Sequence, residues 1–157
     1  MNIITSVCFV AFFMLVGSLK TNGEIKKVEL NNITMRSFES RLEEVNKVAI
    51  VYITNGDFQS SPEWNGVDLS KIPVTMESAV EISIDQLKKW GCDPQRYILV
   101  KCSLVREIRD KDQFKWYWSV SYVDSGLRML NAKPVVSIPI LFTGKVPEKI
   151  ELSNIDE

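Results

Sequence analysis

Two stretches of alternating residues constrain the fold of this chain more than any other feature. In residues 97–107 one side is apolar and consists of Ile98, Val100, Cys102 and Leu104. In residues 115–123 the corresponding side consists of Trp116, Trp118, Val120 and Tyr122. A period of two indicates a half-buried β-strand, and the polar turn 109–112 between the stretches indicates an antiparallel hairpin. The opposite side is expected to form an exposed outer surface of Lys101, Ser103, Tyr117, Ser119 and Ser121.

Residues 75–90 carry apolar side chains at helical spacing. The stripe consists of Met76, Ala79, Val80, Ile84 and Leu87, and Gly91 and Pro94 follow it as stop signals. These features predict an amphipathic helix that covers the apolar side of the hairpin. Trp116 and Trp118 are then expected in the core.

Residues 135–143 predict a further strand, because Val136, Ile138, Ile140 and Phe142 alternate. Pro139 has no amide hydrogen to donate, which places this strand at a sheet edge. Residues 149–152 predict a short strand. A helix followed by consecutive antiparallel strands gives the α+β class, with a sheet meander packed against one main amphipathic helix.

The preceding region predicts a strand-helix-strand segment. Residues 25–30 indicate a short strand, and residues 35–45 indicate a helix of about three turns with Thr34 as its N-cap. Residues 48–54 are rich in β-branched side chains and indicate a buried strand that ends at the Asn55-Gly56 turn. Residues 57–73, which include Trp64, are expected to form a long irregular connection.

The N-terminus is typical of an export signal. Residues 3–19 are almost uninterruptedly apolar and are followed by a polar stretch. Cleavage after Ser18 or Gly23 satisfies the requirement for a small residue, giving a signal peptide over 1–23 and a single domain over 24–157. The expected location is secreted or periplasmic, with no stable membrane insertion after cleavage. The apolar stretch is intermediate in length between an export signal and a membrane-spanning helix, and no basic residue precedes it, so an uncleaved N-terminal anchor is the alternative.

Two cysteines, Cys92 and Cys102, follow the export segment. In an exported protein a pair of this kind suggests a disulfide. The alternative is that Cys102, on the apolar side of its strand, is a small buried hydrophobic residue.

The composition excludes several classes of function. The chain of 157 residues has no histidine, so Ser-His and Cys-His catalytic pairs and histidine-ligated metal sites are absent. Its 19 basic and 20 acidic residues leave no positive excess for nucleic acid. The acidic residues Glu77, Glu81 and Asp85 have the spacing of a solvated helix face. The sequence therefore predicts a protein that is not an enzyme and has no cofactor or metal.

The order of elements over residues 75–126 resembles two families of small exported domains. The stretch reads MESAVEISIDQLKKWG, then YILVKCSL, then KWYWSVSYVDSG. One helix laid across a strand meander is similar to the peptidase-propeptide (PepSY-like) and cystatin-like folds. The resemblance implies a binding or inhibitory domain. The inhibitory loop of cystatins (glutamine-valine-x-valine-glycine) has no counterpart here.

The sequence leads to one main hypothesis and two alternatives. The main one is an exported, non-enzymatic domain that binds a protein or peptide through the outer sheet surface and the Pro139 edge strand. The first alternative is a carrier of a small ligand or carbohydrate, which requires Trp116 or Trp118 to face a cavity. The second is a carboxylate-dependent hydrolase, which requires residues such as Glu107 and Asp124 to lie within about 5–10 Å of each other.

Overall fold

The computed structural model describes residues 33–110, 113–126 and 136–155. Within them six strands form two antiparallel sheets of three strands each. The strands are β1 (Thr34–Leu42), β2 (Lys47–Thr54), β3 (Tyr97–Asp110), β4 (Gln113–Asp124), β5 (Val136–Leu141) and β6 (Lys149–Asn154). The strand order is β1-β2-β6 in one sheet and β3-β4-β5 in the other. The expected signal peptide over 1–23 and the strand expected over 25–30 lie outside the described residues.

Two α-helices and three 3-10 turns complete the described elements. The helices are α1 (Asn55–Ser60) and the longer α2 (Met76–Lys89), and the turns are Glu43–Val45, Leu69–Lys71 and Pro94–Arg96. An antiparallel α+β fold with one main helix is therefore confirmed.

The main helix begins and ends at the residues that the sequence indicates. Thr75 caps α2, because its Oγ1 accepts a hydrogen bond from the Ser78 amide at 3.2 Å. At the other end Gly91 has a φ of +86°, a left-handed conformation that glycine adopts without strain. Ala79 and Leu87 are fully buried, whereas Met76 in the first turn is exposed. Of the predicted apolar stripe, Ala79, Val80 and Leu87 contact the core, whereas Met76 and Ile84 do not belong to it.

The strands of the second sheet are confirmed, and the hairpin is longer than predicted. β3 and β4 pair from Tyr97 opposite Asp124 to Asp110 opposite Gln113. β5 pairs with β4 and is an outer strand of its sheet, as Pro139 requires. The alternating apolar side of this segment is fully buried and consists of Val136, Ile138, Ile140 and Phe142.

The helix predicted over 35–45 is wrong, because residues Thr34–Leu42 form β1. Phe38 and Leu42 are four residues apart, a spacing that fits both a helix and every second position of a strand. The inward position between them is occupied by Ser40. Because Ser40 is polar, the sequence lacks the alternation of apolar and polar residues that indicates a strand. β1 pairs along the whole of β2, with Ser40 opposite Ala49. Strand pairing with β2 thus determines the structure of this segment, although its local spacing of apolar residues favours a helix.

The region after β2 also differs from expectation. The Asn55-Gly56 turn is the start of α1, and the connection over 57–73 contains the rest of this helix and the Leu69–Lys71 turn. Thr54 and Asp57 form a reciprocal capping box, in which the Asp57 carboxylate accepts from the Thr54 amide at 2.7 Å. That cap stabilises a helix where a two-residue turn was expected.

Candidate binding surface

The outer surface expected from the hairpin is largely covered. Tyr117 is only 1% exposed and Ser121 is 5% exposed, so the prediction that they form an exposed surface is wrong. The Tyr117 ring packs edge-on against Phe38 of β1, with ring centres 5.8 Å apart, and lies 6.3 Å from the ring of Phe58 in α1. The first sheet and α1 therefore bury this face around Tyr117.

The remaining residues of that predicted surface have different environments. The Ser121 hydroxyl lies 3.1 Å from the hydroxyl of Ser137 in β5, within a partly buried contact between strands. Ser119 is half-buried opposite Pro139, and Ser103 is half-buried on β3. Lys101 is exposed. Of the predicted surface, the structure thus leaves only Lys101 fully exposed.

The edge of β5 is not open to a partner strand. The Ser40 hydroxyl in β1 accepts from the Ser137 amide at 3.0 Å and donates to the Ser137 carbonyl at 3.1 Å. Pro139 is itself fully buried. The prediction that the Pro139 edge strand is a contact surface is therefore wrong, because β1 lies beside this edge and Ser40 satisfies the backbone groups of Ser137.

The outer edge of β3 carries an exposed apolar patch. Ile98, Leu99 and Val100 are consecutive and are 56%, 43% and 49% exposed. β3 is the outermost strand of its sheet, and within the described residues no strand pairs with its other edge. We call Ile98–Val100 the β3 patch. Three consecutive exposed apolar side chains on a strand edge form an apolar surface beside the backbone of that edge, whereas the more exposed Val67 (80%) and Leu69 (71%) lie outside the strands.

A β-bulge explains why the sequence alternation fails at this patch. Leu99 lies opposite Tyr122 and Lys101 opposite Ser121, so Val100 is an extra residue in β3. In addition, α2 packs on β4 and β5. The expectation that Ile98 and Val100 face the core is therefore wrong, whereas Cys102 and Leu104 do pack against it.

The tryptophans serve to fasten a loop to the sheet. The Trp118 indole donates to the Val74 carbonyl at 2.8 Å, and the Trp116 indole donates to the Trp64 carbonyl at 3.1 Å. The Trp64 indole in turn donates to the Asp68 carbonyl at 2.9 Å. The indoles of Trp116 and Trp118 thus bind the two ends of the segment 64–74. Neither ring lines the cavity described below. This arrangement does not favour an aromatic-lined carrier pocket.

The carboxylates of the hydrolase alternative are far apart. Glu107 lies opposite Lys115 and pairs with Arg36, whereas Asp124 lies at the other end of the hairpin. Nine residues of β4 separate these positions, a distance of about 30 Å at the rise of an extended strand. Catalysis by this pair is excluded, since it requires a much shorter separation.

Asp124 is buried and held by a bifurcated ion pair with Arg96. The Arg96 Nε donates to both carboxylate oxygens at 2.8 and 2.9 Å, and Gly126 donates its amide to the same group at 2.8 Å. The Arg96 guanidinium holds the pKa of Asp124 below its ordinary value. This geometry stabilises the corner where β4 ends, next to the start of β3.

The two cysteines are free thiols, so of the two alternatives that the sequence left open the disulfide is not the one formed. Cys92 is buried beyond the end of α2, where the Tyr97 hydroxyl donates to its sulfur at 3.6 Å. Cys102 lies half-buried on β3 opposite Val120. Burial raises the pKa of both thiols, which makes them poor nucleophiles.

A cavity of about 470 Å³ lies between α2 and the loop that joins β5 to β6. It is lined on the helix side by Ile82, Asp85, Gln86 and Lys89, and on the other side by residues 144–148 and Ile150. The sequence pattern does not predict this cavity. Gln86 is buried although it lies outside the apolar stripe, and no local pattern indicates that a distant loop covers it.

Comparison of the chain with protein-family models, curated proteins and solved structures gives no match. In the described part of the chain, no helix has the length and apolar character needed to cross a membrane. The same residues contain no cluster of three potential metal-ligating side chains.

Proposed function

We propose that this protein is an exported, non-enzymatic domain that binds a protein or peptide in extended conformation along the outer edge of β3. The observation that supports this proposal most directly is the β3 patch on an unpaired strand edge. The apolar N-terminal segment supports secretion or transfer to a periplasm. A resemblance to PepSY-like and cystatin-like domains in element order fits a binding role.

Strand addition explains how such an edge binds. A partner strand forms hydrogen bonds with the free backbone groups of an edge, and side-chain contacts supply specificity. The bulge at Val100 interrupts regular pairing, so the partner backbone is expected to pair beyond it, beside Lys101 and Ser103. The β3 patch then supplies an apolar anchor next to the paired segment, and Lys101 favours an acidic neighbour in the partner.

Selection from a random peptide library tests this proposal. The domain should enrich peptides with alternating β-branched and aromatic residues, and their binding should shift the backbone amide resonances of residues 98–104. Leu99→Lys should weaken the selected peptides at least about tenfold, because it places a charge in a desolvated apolar contact. Leu152→Lys is the matched control, since Leu152 is an exposed leucine (50%) on β6, the outer strand of the other sheet. Equal effects of the two variants, or failure to enrich any peptide, would contradict the proposal.

A further inference from the structure

Two of the Asn-Gly pairs in the sequence lie among the described residues, in different environments. An asparagine before a glycine loses its side-chain amide readily, because the glycine has no Cβ to shield the backbone nitrogen that attacks the side chain. The first pair, Asn55-Gly56, begins α1, and Asn55 is only 9% exposed. The second pair, Asn65-Gly66, lies outside the helices and strands, and Asn65 is exposed. The fold thus gives different surroundings to two sites that share the same dipeptide.

The Asn65 side chain is held in a geometry that favours attack by the next backbone nitrogen. Its Oδ1 accepts a hydrogen bond from the Val67 amide at 3.0 Å and a longer one from the Asp68 amide at 3.5 Å. The first bond closes an Asx turn, in which the side-chain carbonyl lies beside the following peptide group. Donors on a carbonyl oxygen also stabilise the negative charge that develops there during attack. The Asn65 Cγ is therefore polarised for reaction with the Gly66 nitrogen.

The Asn55 side chain lacks these features. Its Oδ1 is buried and has no hydrogen-bond partner among the described residues. Ring closure also requires the asparagine backbone to rotate away from the helical conformation. That rotation would open the first turn of α1 and its capping box of Thr54 and Asp57. We therefore expect folding to slow the reaction at Asn55, because this site has to open before it reacts.

We propose that Asn65 is a site of spontaneous deamidation in the folded protein. The Gly66 nitrogen gives its proton to water and bonds to Cγ of Asn65. The bond from Cγ to Nδ2 breaks, and ammonia leaves a cyclic succinimide. Water then opens the ring, at Cγ to give aspartate or at the main-chain carbonyl to give isoaspartate. The net reaction consumes water and releases ammonia without oxidation or reduction, and the inference does not depend on the β3 edge.

The isoaspartate product does not fit the loop that contains Asn65. Its main chain passes through the former side chain, which lengthens the backbone just before Gly66. Gly66 lies so close to Trp116 that a Cβ would be 2.7 Å from Cζ2 of the indole. The neighbouring Trp64 ring packs edge-on against Trp116, with ring centres 5.1 Å apart. Isoaspartate should therefore displace this loop from β4, whereas aspartate keeps the normal backbone and an oxygen to accept the amide bonds.

Comparison of the folded and unfolded protein tests the proposal without a substitution. The full-length or processed protein is incubated at mildly alkaline pH, in buffer and in guanidinium chloride. Digestion with chymotrypsin, which cleaves after Phe58 and Trp64, then separates the two sites for mass spectrometry. In the denaturant both asparagines should gain the mass of deamidation at similar rates, because a glycine follows each of them. In buffer Asn65 should react at least about tenfold faster than Asn55, since only the buried site has to open first.

An unreactive Asn65 in the folded protein, or equal slowing of both sites by folding, would overturn the proposal. Asn65→Ser retains a side-chain oxygen for the turn but has no amide to lose, so the mass gain at this position should disappear. Asn55→Ser is the matched control and should leave the reaction at Asn65 unchanged. A mass gain that persists in Asn65→Ser would assign the reaction to another residue and also overturn the proposal.

Tryptophan fluorescence of the separated products measures the effect on the loop. The isoaspartate form should emit at longer wavelength than the unmodified protein, because water reaches the rings of Trp64 and Trp116. Asn65→Asp, which reproduces the other product, should leave the emission unchanged. Unchanged emission of the isoaspartate form would overturn the displacement of the loop.

Discussion

The hydroxyl of Ser40 and the backbone of Ser137 form a two-way hydrogen-bonded link between the sheets. One side chain satisfies both the amide and the carbonyl of Ser137, at 3.0 and 3.1 Å. These residues are 97 positions apart in the chain. The link places β1 against the edge of β5, so that among the described strands the edge of β3 is the open side of the β3-β4-β5 sheet.

Replacing Ser40 should destabilise the domain. Ser40→Ala removes the partner of the partly buried amide and carbonyl of Ser137, at a cost of about 1–3 kcal/mol in the free energy of unfolding. Ser37→Ala, at an exposed position of the same strand, should change it by no more than about 0.5 kcal/mol. Urea denaturation measures both. Equal stabilities of the two variants would show that the link contributes nothing.

The environment of Tyr117 predicts a difference between two substitutions. Tyr117→Ala should cost about 3–5 kcal/mol, because it leaves a cavity between Phe38 and Phe58. Tyr117→Phe keeps the ring and should cost less than about 1.5 kcal/mol. Denaturant midpoints compare them. An exposed Tyr117 would make both substitutions nearly neutral.

Substitutions at two glycines with similar backbone conformations allow the cost of backbone strain to be compared with the cost of a steric clash. Gly66 and Gly144 have φ values of +78° and +74°. A Cβ at Gly66 would lie 2.7 Å from Cζ2 of Trp116, whereas a Cβ at Gly144 would have no neighbour within 4 Å. Gly144→Ala should therefore cost about 1–2 kcal/mol from backbone strain. Gly66→Ala should cost about 1–3 kcal/mol more from overpacking against the indole. Thermal and urea denaturation give the difference, and equal losses would mean that the loop is not held against Trp116.

The buried Asp124 predicts an acid-dependent loss of stability. Its pKa is lowered in the folded state, chiefly by the hydrogen bond from Arg96, so the folded protein binds this proton less readily than the unfolded chain. The stabilisation is present above the ordinary pKa near 3.8 and is lost as the pH falls through the folded-state value.

Asp124→Asn tests this dependence. The variant should be less stable at neutral pH and should show a flatter stability profile below pH 4 than the unmodified protein. Asp85→Asn is the control, because Asp85 forms an exposed pair with Lys88. Parallel acid profiles for Asp124→Asn and the unmodified protein would disprove a role for this carboxylate.

Because Cys92 and Cys102 are free and largely buried, we expect the thiols to resist oxidation and the stability of the domain to be independent of reducing agent. Cys92 and Cys102 should both react with iodoacetamide after unfolding without reductant, as detected by mass spectrometry. In the native state both should react slowly, because burial raises the pKa of each thiol. A reducing agent should leave the unfolding midpoint unchanged. A mass two daltons lower, together with loss of alkylation, would reveal a disulfide instead.

The sequence by itself determined the elements whose signals are local. The spacing of apolar residues, the Thr75 cap and the Gly91 stop define α2, because these interactions lie within one or two helical turns. Alternation over many residues likewise defines β4, and Pro139 marks an outer strand. Both properties depend on the residue itself and its immediate neighbours.

Only the tertiary structure decided which surfaces are buried. Tyr117 is enclosed because β1 and α1 cover it, and β1 is a strand because β2 and Ser137 supply partners that its own sequence does not contain. Gln86 borders a cavity because a loop about 60 residues further along the chain lies over α2. Burial and pairing of this kind depend on contacts between residues distant in the chain, which periodicity within a short segment does not record.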